Sequence, residues 1–146
     1  MVIDAVRMMV ANNVGALLVY DFELLDADKD GTISKQELRT SPDRDAIRGI
    51  ITERDYMKKI SLEGRSSLST KVGEIMTAHE NVITVTPDTP IIKAMELMVD
   101  NHIRHVPVVD GMHMEGLVSI RDIVRTVLAD HKEEVDRLRD FISNYS

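Results

Sequence analysis

Hydrophobic and polar positions follow the same order in two stretches of the chain, residues 4–21 and 93–110. In each stretch, apolar residues first recur at a spacing of three and four, which is typical of an amphipathic helix. An Asn then precedes a dense run of Val and Leu, which is typical of a buried strand. Both stretches are therefore predicted to form a helix followed by a strand.

A second pair of similar strings follows, GIITERDYMKKI from Gly49 and GLVSIRDIVRTV from Gly116. Each contains a Gly, a short apolar strand, a hydroxyl residue and an Asp three positions later. The copies lie 89 residues apart in the first pair of stretches and 67 in the second, so the first copy carries 22 additional residues. A repeat of this kind predicts one architecture used twice.

The second copy is also preceded by VGEIMTAHENVITVTPDTP, which predicts a short helix, a strand at Val82 to Val85 and a helix from about Ile91. The first copy lacks this segment. Either the chain is shortened at its N-terminus, which we favour, or the first repeat lacks an edge strand. The Ser-rich residues 61–70 join the halves.

The tail after Asp130 places Val135, Leu138 and Ile142 on one helical stripe, which predicts docking on the body or on a second subunit. We predict a first repeat at 1–63 with an insertion at about 21–45, a second repeat at 72–131 and a C-terminal helix at 132–146.

Composition narrows the possible functions. The chain has no Cys, which excludes disulfides, thiolate zinc sites and cysteine nucleophiles. No apolar run approaches the roughly 20 residues of a membrane span, and the net charge of −7 argues against nucleic-acid binding. We expect an intracellular, soluble protein of the cytoplasm or an organelle, with no membrane or nucleic-acid partner.

Together these strings, with EIMT at 74–77 and RHVPVVD at 104–110, resemble the CBS-domain family, of the stand-alone type found in bacteria and plant organelles. The resemblance implies an α+β fold, in which tandem β-α-β-β-α repeats form one Bateman module. It also implies a homodimer that senses cellular energy by binding an adenine nucleotide, with AMP preferred and ATP, ADP or NAD(H) as alternatives. The other interpretation is a protein-interaction module that regulates a partner enzyme of a thioredoxin-like system.

Two residue pairs are candidates for binding the ribose, Thr52 with Asp55 and Ser119 with Asp122. A carboxylate accepts hydrogen bonds from both vicinal hydroxyls of a ribose, and a nearby hydroxyl contacts the sugar or the phosphate. The same spacing of three residues also fits a helix cap. Both interpretations stay open at this point.

Phosphate contacts are predicted in the second repeat, where Arg104 and His105 correspond to Gly15 and Ala16 of the first. For His105, satisfaction by a backbone carbonyl is the alternative. We therefore expect unequal repeats and one competent nucleotide site, built on Asp122 and Ser119 with Arg104 and His105. The other predicted contacts are Val82 and Thr84 near the base, and Arg54 and Arg121 as further phosphate contacts.

The insertion contains DADKDGTISKQE at residues 26–37, which satisfies the EF-hand pattern at every defined position. Ca²⁺ prefers six to eight oxygen ligands, and closely spaced carboxylates supply them. The alternative is an acidic, solvated loop, because no second loop is present to pair with this one. The predicted ligands of Ca²⁺ are the side chains of Asp26, Asp28, Asp30 and Glu37, the carbonyl of Thr32, and Ser34 either directly or through a water molecule.

An enzymatic function has little support in the sequence. The chain has no GxSxG string and no Gly-rich phosphate loop. We therefore expect a binding module without catalytic activity, whose ligands are Ca²⁺ and an adenine nucleotide.

Overall fold

A computed structural model describes residues 1–25 and 44–144 of the chain. The chain divides into two compact units. Unit 1 contains Met1–Pro87 and Pro107–Gly116, and unit 2 contains Asp88–Val106 and Leu117–Ser146. Helices and strands are mixed along the chain, which confirms the predicted α+β class.

The first unit contains an antiparallel sheet of three strands in the order β1-β2-β3. Short 3₁₀ turns at Arg44–Ala46, Val72–Glu74 and His79–Asn81 connect its elements. A π-helical segment, Met57–Leu62, directly continues α3. The helices and strands are α1 (Val2–Asn12), β1 (Ala16–Tyr20), α2 (Phe22–Leu25), β2 (Ile47–Thr52), α3 (Glu53–Tyr56) and β3 (Thr77–Ala78).

An apolar core holds α1 against this sheet. Met9 of α1, Ile51 of β2 and Ile75 before β3 are all buried in one cluster. Since Val2, Ala5 and Met9 recur at helical spacing, one face of α1 enters this core. The pattern that predicted the helix thus also marks its buried face.

Gly49 is required where β2 meets β3. A Cβ atom at this position would lie 2.2 Å from the carbonyl oxygen of Thr77, far inside van der Waals contact. Gly49 pairs with Ala78 in the register of the two strands. The absence of a side chain therefore allows the two backbones to approach.

The Ser-rich segment is part of the packed structure. Thr70 is buried, and its carbonyl accepts a hydrogen bond from the Val2 amide at 3.0 Å. The Ser67 carbonyl likewise accepts from the Ile3 amide at 3.0 Å. These contacts satisfy amide groups at the start of α1 that have no partner within a helix.

Residues 88–144 contain α4 (Ile91–Asp100) and α5 (Ile120–Asn144). The strands β4 (His105–Asp110) and β5 (His113–Ser119) pair with each other. In unit 2, α4 packs against α5. The buried side chains of this unit are those of Ala94, Met98, Val106 and Ile123.

Matching burial supports the internal repeat. Ala5 and Ala94 are both 7% exposed, while Met9 and Met98 are 3% and 2% exposed. Each pair occupies the same place in its helix, ahead of a strand. The helix and strand predicted from each stretch are present in both copies.

Two predicted elements differ from the structure. The strand expected at Val82 to Val85 is reduced to one parallel bridge, between Val85 and Val108. Val82 has an extended backbone but directly follows a 3₁₀ turn, so only Val85 reaches the ladder. Residues 132–144 of the helix expected at 132–146 are the last part of α5, because no residue that breaks helices separates them from Ile120, and the last two residues of that prediction lie outside the described ranges.

Candidate functional site

The first candidate ribose contact, Thr52 with Asp55, forms a helix cap. One carboxylate oxygen of Asp55, Oδ2, accepts from the Thr52 hydroxyl at 2.8 Å and the Thr52 amide at 3.0 Å. The Asp55 amide donates back to the Thr52 hydroxyl at 3.2 Å. This reciprocal arrangement is a capping box at the start of α3.

The second pair, Ser119 with Asp122, has the same geometry at the start of α5. Asp122 Oδ2 accepts from the Ser119 hydroxyl at 2.5 Å and from the Ser119 amide at 3.0 Å. The Asp122 amide donates to the Ser119 hydroxyl at 3.2 Å. The capping interpretation is therefore correct for both repeats, and it leaves Oδ1 of each Asp for other contacts.

The second carboxylate oxygen distinguishes the two repeats. Asp55 Oδ1 lies 3.4 Å from the ammonium group of Lys59, and the Asp55 side chain is only 14% exposed. Asp122 is exposed, and no donor among residues 1–25 and 44–144 hydrogen-bonds its Oδ1. The Oδ1 acceptor is thus accessible on Asp122 in the second repeat and occupied by Lys59 on Asp55 in the first.

A backbone hydrogen bond places Arg104 beside the second cap. The Ile120 amide donates to the Arg104 carbonyl at 2.8 Å. In the first repeat, the Glu53 amide donates to the Gly15 carbonyl at 3.1 Å. Gly15 and Arg104 therefore occupy the same backbone position, and only the second repeat carries a cation there.

Hydrogen bonds from Ser119 set the charge state of Asp122. The Ser119 hydroxyl, and then its amide, lower the pKa of the Asp122 carboxyl below its usual value, because both donate to the ionised form. Arg125 and Arg121 lower this pKa further by Coulomb attraction. The carboxyl is therefore ionised at neutral pH and able to accept hydrogen bonds.

Val82 and Thr84, the predicted base contacts, line a small depression in unit 1. Its cavity volume is about 10 Å³, the room of about one water molecule. Pockets that bury most of a ligand usually measure about 300–1,000 Å³, so this depression does not enclose a ligand. The other lining residues are Ile47, His79, Pro107, Val109 and Met114.

The ends of the insertion are joined in unit 1. The Asp21 amide donates to the Ala46 carbonyl at 2.7 Å. Arg48 also forms an ion pair with Asp21, and its side-chain hydrogen bond is the main cause that lowers the pKa of Asp21. The chain thus leaves β1 and returns to β2 at one place.

The predicted calcium ligands at 26–37 lie outside the described residues. Within residues 1–25 and 44–144, no group of three or more His, Asp and Glu side chains could hold a metal ion. The calcium site stays a prediction from the sequence. Nor does any helix in those two ranges have the length and apolar character to cross a membrane.

Sequence reasoning missed Lys59 and His79. Lys59 lies four residues after Asp55 on the same helical segment, a spacing that brings side chains together, so its ion pair had a detectable signal. His79 lines the depression with Val82, but its turn has no distinctive pattern. Only the folded structure shows that His79 and Val82 line the same depression.

Comparison with known families agrees with the repeat. Residues 72–129 match the CBS domain family, and residues 19–40 match the EF hand family. The first match lies in the second repeat, and the second covers most of the insertion, including residues 26–37.

A curated relative matches most of the chain in sequence. The Arabidopsis thaliana protein "CBS domain-containing protein CBSX3, mitochondrial" is 48% identical over 141 residues, which are 97% of this chain and 59% of that protein. The chain therefore spans less than two thirds of the length of this relative.

Solved structures give the same result. A CBS-domain protein from Burkholderia ambifaria MC40-6, named for a proposed role in signal transduction, is 40% identical with a TM-score of 0.68. The match covers 88% of this chain and 77% of that one.

A second solved structure contains adenosine compounds. The CBS domain pair of protein MJ0100, in complex with 5′-methylthioadenosine and S-adenosyl-L-methionine, is 25% identical with a TM-score of 0.62, covering 88% of this chain and 82% of that one. From its repeat, its fold and these relatives, we conclude that the chain belongs to the CBS domain family.

Proposed function

We propose that this chain is a regulatory module that binds an adenosine-containing ligand at the Ser119–Asp122 turn of the second repeat. The observation that carries the proposal is the accessible Oδ1 of an ionised Asp122. A carboxylate oxygen can accept from the vicinal hydroxyls of a ribose while Oδ2 keeps the cap intact. The ligands of protein MJ0100 carry such a ribose and support this class of compound.

Arg104 makes the same site suitable for a phosphate. Its carbonyl is held by the Ile120 amide, at the start of the long helix α5, and amides at a helix start favour an anion nearby. His105 follows it in the chain, and Arg121 lies in the first turn of α5. A nucleotide such as AMP, with ATP, ADP or NAD(H) as alternatives, is therefore the proposed ligand.

Val82 and Thr84 stay the predicted base contacts. The side chains that line their depression in unit 1 are mainly apolar. In the first repeat, Thr52 and Asp55 are predicted to bind more weakly, because Lys59 occupies the free oxygen. Arg54, beside Asp55, would then have no nucleotide phosphate to contact.

Calorimetric titration with adenosine, AMP, ATP and NADH tests the proposal. Asp122→Asn keeps an oxygen for the cap but removes the second carboxylate oxygen, so binding should weaken at least about tenfold, the loss expected for a charged hydrogen bond. Asp55→Asn is the matched control and should leave the affinity unchanged. Absence of heat with every adenine compound would favour a protein-interaction module that regulates a partner enzyme instead.

A second proposed property is binding of Ca²⁺ by residues 26–37. The EF-hand match at 19–40 and the complete loop pattern support it. Glu37→Gln removes one ligand oxygen charge and should abolish the heat of calcium titration, while Glu23→Gln, outside the loop pattern, should not. Equal heats from wild type and Glu37→Gln would contradict this assignment.

A further inference from the structure

Three arginines of unit 2 lie at the start of α5. Arg121 and Arg125 belong to its first two turns, four positions apart and therefore on one face of the helix. Arg104 is placed beside them, because its carbonyl accepts from the Ile120 amide at the first residue of α5. All three side chains are exposed. We call these three residues, which surround the Asp122 turn, the arginine cluster.

The arginine cluster has no acidic partner in the described structure. Within residues 1–25 and 44–144, no ion pair or hydrogen bond engages the side chain of Arg104, Arg121 or Arg125. In a chain with a net charge of −7, the cluster is thus left available for an external anion. Other arginines in these ranges do form ion pairs, namely Arg7, Arg48, Arg65, Arg137 and Arg139.

The position of these charges is unfavourable for the helix itself. The start of a helix carries a partial positive charge, so cations in its first turns are destabilising. Like charges four residues apart, such as Arg121 and Arg125, also destabilise a helix. Asp122 attracts both, but it is one carboxylate among three cations. Because sites that break local rules without compensation are typically functional, the charges indicate ligand binding rather than folding.

Arg125 extends the cluster beyond the phosphate contacts proposed above. Helical side chains lean toward the N-terminus of their helix, so the Arg125 side chain lies over the preceding turn, which contains Asp122. In agreement, Arg125 contributes more than Arg121 to the Coulomb attraction that lowers the Asp122 pKa. At a rise of 1.5 Å per residue, Arg125 also lies about 6 Å further along the helix axis than Arg121.

The guanidinium groups of the cluster exceed what one phosphate can occupy. A guanidinium donates in parallel to two oxygens, whereas a phosphate monoester has only three terminal oxygens. Arg104 and Arg121 can already engage these oxygens. The guanidinium of Arg125 therefore has an acceptor only if the ligand carries a further phosphate group.

We propose that Arg125 binds the second phosphate of the ligand, so that the site prefers nucleotides with a diphosphate group, such as ADP, ATP or NADH, over AMP. This inference rests on the proposed function, because Asp122 must hold the ribose for the phosphates to reach the cluster. Arg104 and Arg121 hold the first phosphate, and Arg125 determines the preference.

Calorimetric titration of the full chain with adenosine, AMP and ADP tests this preference. Wild type should bind ADP at least about tenfold more tightly than AMP, the gain expected from a charged hydrogen bond. Arg125→Gln should reduce this ratio to about one and leave the affinity for adenosine unchanged. Lys58→Gln, at the matching position of the first repeat, removes the same charge and should keep the wild-type ratio.

Adenosine distinguishes failure of this inference from failure of the proposed function. If adenosine binds but ADP binds no more tightly than AMP, the role of Arg125 is wrong and the ribose site stands. The same holds if Arg125→Gln keeps the wild-type ratio. If adenosine, AMP and ADP all give no heat with wild type, both proposals are wrong.

Two more variants separate the charge of Arg125 from its shape. Arg125→Lys keeps the charge without the planar fork and should show an intermediate preference for ADP. Arg125→Glu places a carboxylate beside the second phosphate and should make AMP the tighter ligand. A purely structural role would change the affinities for AMP and ADP together, so a wild-type ratio in Arg125→Glu would overturn the proposal.

Discussion

Lys59 is the residue that makes the cap turn of the first repeat different from that of the second. Its ammonium group lies 3.4 Å from Asp55 Oδ1 and donates to the Ile75 carbonyl at 2.5 Å. The repeat offset of 67 places Thr126 at the equivalent position, and its hydroxyl bonds to the backbone carbonyl of Asp122. One side chain therefore decides whether the carboxylate is available.

Replacement of Lys59 by the residue of the other repeat should open a second site. Lys59→Thr removes the cation from Asp55, so adenosine, which needs no phosphate contact, should bind a second equivalent per chain. Titration calorimetry measures this stoichiometry, with thermal unfolding to verify that the variant folds. Lys58→Thr, at the neighbouring exposed position, is the control, and an unchanged stoichiometry in Lys59→Thr would contradict the prediction.

The pKa of Asp122 should respond to Ser119. Ser119→Ala removes the largest cause of the lowering, so the pKa of the Asp122 carboxyl should rise toward its usual value in an NMR titration. The cap should lose about 1 kcal/mol of stability at pH 7. Because the folded pKa is depressed, this contribution is present above the unfolded pKa and is lost as pH falls through the folded value.

Ser119→Thr is the matched control, since Thr forms the cap in the first repeat. It should keep both the low pKa and the stability. If Ser119→Ala left the Asp122 pKa unchanged, the Ser119 hydroxyl would not be the cause of the lowered pKa.

The sequence predicted both cap pairs by their spacing, but the salt bridge to Lys59 also depends on side-chain conformations that spacing does not fix.

At the level of elements, the Gly residues that match between the two repeats have different surroundings. A Cβ at Gly49 would meet the Thr77 carbonyl oxygen, whereas no described atom lies within 4 Å of a Cβ at Gly116. Sequence alone paired these residues because their strings match. It did not predict that only β2 has the β3 backbone against it at this point, since that contact is long-range.

Alanine at the two positions should therefore have unequal effects. Gly49→Ala should lower the free energy of unfolding by about 1–3 kcal/mol, the usual cost of overpacking. Gly116→Ala should change it by less than about 0.5 kcal/mol. Denaturant unfolding measures both, and equal losses would mean that the approach of β2 and β3 is not what requires Gly49.

Other elements show why sequence succeeded or failed. The helix α4 was predicted from Ile91, where it begins, because Pro90 and the apolar period mark its start. The strand at Val82 to Val85 was wrong except for Val85, because short extended segments need a partner strand that local pattern does not reveal. Long periodic elements are thus more predictable than short ones.

On the scale of the whole molecule, acidity is concentrated in the insertion. Six acidic and two basic side chains between Asp21 and Glu37 account for four of the seven net negative charges. Asp21 and Ala46 close the insertion at its base. A cation bound within it would therefore reduce local repulsion and stabilise the fold to which these strands belong.

Calcium and nucleotide should be linked in a two-input sensor. If Ca²⁺ changes the affinity for AMP, AMP must change the affinity for Ca²⁺ by the same factor, because linkage is reciprocal. Titration of each ligand with and without the other measures both factors. Equal, non-unit factors support the sensor, whereas independent titrations would make the calcium loop a separate docking switch.

The amide-to-carbonyl bonds from Glu53 to Gly15 and from Ile120 to Arg104 have a consequence for how such modules diverge. Both junctions are held by peptide groups, so the side chain at that position can change without loss of the bond. After a duplication, one copy could thus keep a cation while the other drifted, with the scaffold unaltered. Ligand preference can then pass between the copies, and Gly15→Arg together with Lys59→Thr would be the smallest change that gives the first repeat the features of the second.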